Sequence, residues 1–212
     1  MTPTATSTRR KLVDAATRAF AAKGVFAASL VEITRQAGQR NRGAIHYHFG
    51  SREGLLCAVL EPHVGFLHDR EGELLAVARS RPHHDVGSVV EAVVRPAVEL
   101  GETGWRGRCF LVILAELVEV DPANLSDPVQ DVLARTGGYE VYDLLAERMA
   151  PVDEAVRTER FSLVTSFILR SVADRARARD RTSPGRRQLD LEAFTTNLVA
   201  MVAAMVSAPG PR

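Results

Sequence analysis

Between Ser29 and Gly50 the chain carries two helix starts and two helix stops, and this spacing limits the fold more than any other feature of the sequence. Ser29-Leu30-Val31-Glu32 is a capping box, in which the serine side chain and the glutamate three positions on satisfy each other's orphan backbone N–H groups. It predicts a short helix from Leu30 to Ala37, ended by Gly38. Asn41 is the next cap and opens a second short helix through Arg42, Gly43, Ala44, Ile45, His46, Tyr47 and His48 to Phe49. Only Gly38-Gln39-Arg40 separates the two, the glycine-containing turn of a helix-turn-helix. In that motif the first helix crosses a phosphate backbone, and the second puts its N-terminal residues into the major groove.

The flanks read as helix too. Upstream, Leu12, Ala15, Ala16, Ala19 and Phe20 form one amphipathic stripe, with Thr8 as N-cap and Gly24 just past the end. Downstream, Ser51 caps a fourth helix that has Glu53 in its first turn, carries Leu55, Leu56, Val59 and Leu60, reaches Arg79 and has a kink site at Pro62. Apolar, periodic segments follow at 86–100, 107–120, 126–149, 152–181 and 189–208, parted by Arg81-Pro82, Asp121-Pro122 and Ser183-Pro184-Gly185. No strand-like alternation competes and no repeat is present. The expected fold is all-α with about nine helices: a three-helix DNA-binding domain over 1–50, a helical domain over 51–208, and a flexible tail at 209–212.

Charge supports the division. Residues 1–50 hold eight Lys or Arg against two acids, a balance of +6, while the remainder of the 212 residues balances to −5. A basic head meets either a polyanion or only solvent. The apolar run Leu198–Val206 is far shorter than the roughly 20 residues of a membrane span, and Arg9-Arg10-Lys11 leads into a segment broken by Asp14 and Arg18 rather than a secretory h-region. A cytoplasmic protein with no membrane partner is expected. Cys57 and Cys109 lack the spacing of a disulfide framework or a zinc site and read as buried thiols. No phosphate loop, nucleophile elbow or zinc-helix motif occurs, so no catalytic residues and no cofactor are expected. His83-His84 beside Asp85 reads as a polar loop rather than a metal site.

The motifs together resemble the TetR family of bacterial transcriptional regulators. The matching pieces are Ala19-Phe20 before Lys23-Gly24, Val31-Glu32-Ile33-Thr34 leading to Ala37-Gly38, Tyr47-His48-Phe49, and Ser51-Arg52-Glu53 before Leu55-Leu56, covering about residues 8–60. The turn reads Gln39-Arg40-Asn41, one residue longer than is usual there, and Ile45-His46 replaces the common Leu-Tyr. The resemblance implies an all-helical homodimer whose N-terminal domains read a near-palindromic operator in double-stranded DNA, usually to repress. It also implies a C-terminal domain that binds a small-molecule effector and releases the DNA through a shift of the fourth helix.

Placed on this sequence, the candidate DNA-binding residues are Ser29, Arg40, Asn41, Arg42, Gly43, Ala44, His46, Tyr47 and Arg52. Arg40 and Arg42 are the candidates to fork onto guanine, Gly43 lets the backbone approach, and Ala44 either touches a thymine methyl or simply packs. Ser29, His46, Tyr47 and Arg52 are candidate phosphate donors, and His48 either packs or joins them. Trp105, Phe110, Tyr139 and Tyr142 are candidates to line an effector cavity or to be plain core. The last two helices are apolar nearly all round, which places Phe161, Val164, Phe167, Ile168, Phe194, Leu198, Met201 and Met205 either at a dimer interface or inside the chain. The rival reading is an architectural DNA-binding or interaction module with no effector response.

Overall fold

The computed structural model describes residues 5–180 and 187–210, and every regular element among them is helical. In chain order these are α1 (Ala5–Lys23), α2 (Leu30–Gln36), α3 (Ala44–Phe49), α4 (Arg52–Arg79), α5 (Val86–Glu102), α6 (Trp105–Leu117), a 3-10 turn (Pro122–Asn124), α7 (Asp127–Ala134), α8 (Tyr139–Arg148), α9 (Glu154–Arg179) and α10 (Leu191–Ser207). The Ser183-Pro184-Gly185 break and the last two residues of the expected tail lie outside the described residues.

Local chemistry explains most boundaries, including those the sequence placed differently. α1 already runs from Ala5, so Thr8 sits inside its first turn rather than capping it. At α2 the Ser29 hydroxyl accepts the Glu32 N–H at 3.3 Å. The reciprocal half of the box is not made, because the Glu32 carboxylate instead takes Lys23 Nζ at 2.7 Å and Gln36 Nε2 at 3.0 Å. Asn41 does not start α3. Its Oδ1 accepts the Gly43 N–H at 2.9 Å, closing a turn that delays the helix to Ala44. The 126–149 segment is two helices, because Gly137 and Gly138 adopt φ of +99° and +97°, a region side-chain-bearing residues avoid. α4 continues unbroken through Pro62.

The core is almost one continuous cluster. Leu12, Ala16, Phe20, Val25, Ile33 and Ile45 fill the space among α1, α2 and α3, and Leu55, Leu56, Val59 and Leu60 carry the cluster along α4. α5 is the central strut of the C-terminal part and packs against α4, α6, α8, α9 and α10. Buried Arg148 of α8 ties the end of α4 to the start of α5 by donating to the carbonyls of Ala78 at 2.6 Å and Asp85 at 2.8 Å. Among the described residues, no helix is long and apolar enough to cross a membrane.

Candidate nucleic-acid interface and ligand cavity

The outward face of the α2–α3 unit is set by what its inward face buries. Ala44 and Ile45 are 6% and 3% exposed and hold α3 against its neighbours. His46 and Tyr47 therefore point away from the core. Tyr47 is 82% exposed and meets the His48 ring edge-on at 5.0 Å. Phe49 is half-buried beneath the Arg9 guanidinium, 5.1 Å from its ring centre. Arg40, Asn41, Arg42 and Gly43 are all exposed in the turn.

The arginines of the turn differ from those of the body. Among the described residues neither Arg40 nor Arg42 has an ion-pair partner, whereas Arg70, Arg79, Arg95, Arg106, Arg108 and Arg135 each approach a carboxylate to 2.6–2.8 Å. Two free planar forks at the start of a short exposed helix suit bidentate recognition of phosphate or of a guanine edge.

The three-helix unit is fastened to the rest through α6 as well as α4. Arg106 forks onto Asp14 of α1 at 2.9 and 2.8 Å, and the guanidinium groups of Arg18 and Arg106 lie over the Trp105 ring, 3.7 and 4.7 Å from its centre. At the end of α1, Gly24 takes φ of +89°. That turn lets the next amide, Val25 N–H, donate to Glu116 Oε1 of α6 at 2.9 Å.

A cavity of about 420 Å³ opens among α4, α5, α6, α7, α8 and α9. Its walls are chiefly aliphatic, from residues such as Leu67, Val93, Leu114, Leu117, Leu133 and Ile168. Tyr142 lines it with its hydroxyl bonded to Thr165 Oγ1, and Tyr139, 68% exposed, stands at its edge. One carboxyl group sits deep in the wall. Glu71 of α4 is 8% exposed, and its Oε1 accepts the Gly138 N–H at 2.7 Å. Burial pushes this carboxyl above its ordinary range, the Gly138 N–H offsetting only part of the effect.

Sequence comparison agrees with this architecture at both ends of the chain. Residues 12–59 match the family described as bacterial regulatory proteins, tetR family, and residues 91–205, more than half the chain, match the tetracyclin repressor-like C-terminal domain. The chain belongs to the TetR family. Among curated relatives it is 45% identical over 56 residues to the HTH-type transcriptional regulator SrpR of Pseudomonas putida, a match covering 26% of each protein. It thus spans about a quarter of that relative's length. Two solved structures share the fold over nearly the whole chain. The ketosteroid transcriptional regulator KstR2 of Mycobacterium tuberculosis has a TM-score of 0.56 at 17% identity, with 95% of each chain covered. AibR in complex with isovaleryl coenzyme A and operator DNA has a TM-score of 0.55 at 18% identity, covering 92% of this chain and 97% of that one.

The fold of this TetR-family protein groups Arg40, Asn41, Arg42, Gly43, His46 and Tyr47 on one exposed surface, with Ser29 exposed at the neighbouring helix start. Two residues expected there do other work. Ala44 is core, and Arg52 Nη1 donates to the carbonyls of Val25 at 2.7 Å and Ala28 at 2.8 Å, bracing the α1–α2 turn. Of the aromatic candidates, Tyr139 and Tyr142 reach the cavity. Trp105 does not, because it is stacked at the α1–α6 joint. Phe110 does not, because it is fully buried against the His63 ring, 4.9 Å away. Val164, Ile168 and Leu198 are 1–3% exposed inside the chain itself, where α9 and α10 pack on α5 and α6, so they are unavailable to a second copy. Cys57 and Cys109 are half-buried rather than buried, and desolvation pushes both thiols up. Glu71 went unread, although it occupies the inward register of α4 between Leu67 and Leu75, where an acid among leucines is itself a signal.

Proposed function

We propose that this TetR-family chain is a sequence-specific transcriptional regulator, a repressor that leaves a near-palindromic operator when a small-molecule effector enters the α4–α9 cavity. The supporting observation is the exposed, unpaired pair Arg40 and Arg42 beside Asn41, His46 and Tyr47 on the α2–α3 unit. We assign residues 1–50 to DNA binding and 51–208 to effector binding and dimerisation, in the cytoplasm of a bacterium, with no catalytic role. The homodimer would use the outer faces of α9 and α10. There Leu163 and Met201 are 54% and 45% exposed, and Phe161, Phe167, Phe194 and Met205 are half-buried.

The two fold neighbours favour a ligand-responsive regulator over a purely architectural module, since one is described as a ketosteroid regulator and the other was solved with both a coenzyme A thioester and operator DNA. Selection of bound sequences from a random DNA library tests the proposal. A palindromic site is expected, and Arg42→Ala should relax the preference at one base pair in each half-site at a cost of about 1–3 kcal/mol of discrimination. Equal weakening of every sequence by Arg42→Ala, or no selected site at all, would favour the architectural reading.

A further inference from the structure

Resting on the reading of the cavity as the effector site, we propose that its ligand is an apolar molecule bearing one protonated amine, with Glu71 as the counter-ion. Six polar side chains reach the cavity: Glu71, Gln130, Thr136, Tyr142 and Thr165 in the wall, and Tyr139 at its exposed edge. The Tyr142 hydroxyl bonds to Thr165 Oγ1, which itself donates to Phe161 O at 2.7 Å, so both hydroxyl protons are taken. Thr136 Oγ1 donates to Leu133 O at 2.7 Å. Gln130 Nε2 gives its hydrogens to the carbonyls of Pro122 and Leu125, each at 2.9 Å. Apart from the Tyr139 hydroxyl at the exposed edge, the hydroxyl and amide donors of these side chains are therefore committed within the protein, and what the inner wall offers a ligand is chiefly acceptors.

Glu71 is the principal one. Oε1 takes the Gly138 N–H, but among the described residues no hydrogen bond reaches Oε2 and no cation forms an ion pair with the carboxylate; exposed His68, one turn back on α4, and Glu140 act on it only through space. The group is held tightly in place. A Cβ built on Gly137 would meet both carboxylate oxygens at 2.7 Å, so Gly137 leaves the space the carboxylate occupies and Gly138 supplies the N–H that holds it. A carboxylate fixed in an aliphatic wall with one oxygen unused is costly unless a proton or a positive charge arrives to pair with it. An ammonium supplies both a proton for Oε2 and the missing charge. A ligand carboxylate or phosphate would meet Glu71 as a like charge and find no side-chain donor free in the inner wall, the Tyr139 hydroxyl standing only at the exposed edge.

The test compares decylamine, decanol and decanoate by titration calorimetry on the full chain and on Glu71→Gln, with release of the selected operator DNA measured in parallel. Decylammonium is expected to bind the wild type at least about tenfold more tightly than either other probe, and Glu71→Gln should remove that preference while leaving decanol binding within about twofold. Decanol or decanoate binding as tightly as the amine, amine binding untouched by Glu71→Gln, or no amine binding at all would each overturn the proposal. Should Glu71→Gln fail to fold, the ordering of the three probes on the wild type decides alone. Glu71-dependent amine binding that leaves the operator bound would refute the effector reading while preserving the ligand class.

Discussion

Gly24 concentrates two constraints in one residue. Its φ of +89° disfavours any side chain, and a Cβ there would stand 3.1 Å from Glu116 Oε1, the atom that receives the Val25 N–H. Gly24→Ala should therefore lower stability by about 1–2 kcal/mol through backbone strain alone, read as a lowered melting temperature with the helix content of the folded state unchanged. Glu71 makes a prediction about pH. Its folded-state pKa lies above the ordinary 4.5, so the folded chain holds the proton more tightly than the unfolded one. The resulting stabilisation is complete below the ordinary value and is lost as pH rises through the raised one. Glu71→Gln escapes that loss, and its melting temperature should gain on the wild type as pH climbs from below 4.5 to neutrality. A constant difference across that range would contradict the burial argument.

At the scale of elements, α6 matters as much as α4. Its first turn holds α1 through Trp105 and Arg106, its last turn holds the α1–α2 turn through Glu116, and Leu114 and Leu117 face the cavity. Glu116→Ala would leave the buried Val25 N–H without its acceptor at a cost of about 1–3 kcal/mol, and faster hydrogen exchange at the Val25 amide would show it. The helix boundaries set by a single local interaction were legible in the sequence: Ser51 does cap α4, accepting the Gly54 N–H at 3.1 Å, and Gly38 does follow α2 with φ of +71°. Those decided by competition were not. Asn41 had two uses for its side chain and took the turn, and an amphipathic run concealed the Gly137-Gly138 break. Aromatic residues misled for a related reason: Trp105 and Phe110 have the chemistry of a ligand wall, but periodicity cannot say which buried face adjoins empty space. The grouping of Arg40, Arg42, His46 and Tyr47 was readable because it depends only on one short helix burying Ala44 and Ile45.

Across the whole molecule, charge is divided unevenly along the chain. The first fifty residues carry a balance of +6 and the rest −5, and the arginines of the body are largely neutralised by carboxylates close at hand. DNA affinity should then come mostly from counterion release, falling by roughly a hundredfold or more between about 50 and 200 mM salt, measured by fluorescence anisotropy on the selected site. A nearly flat salt dependence would mean that the basic head does not neutralise phosphates. The position of Trp105 has a practical side as well. It is the only tryptophan in the chain, and it lies where α1 meets α6, with two guanidinium groups over its ring. Its ultraviolet emission is thus a label-free optical probe of that joint: a ligand that moves α1 relative to α6 will alter the spectrum, and one that merely fills the cavity will leave it still.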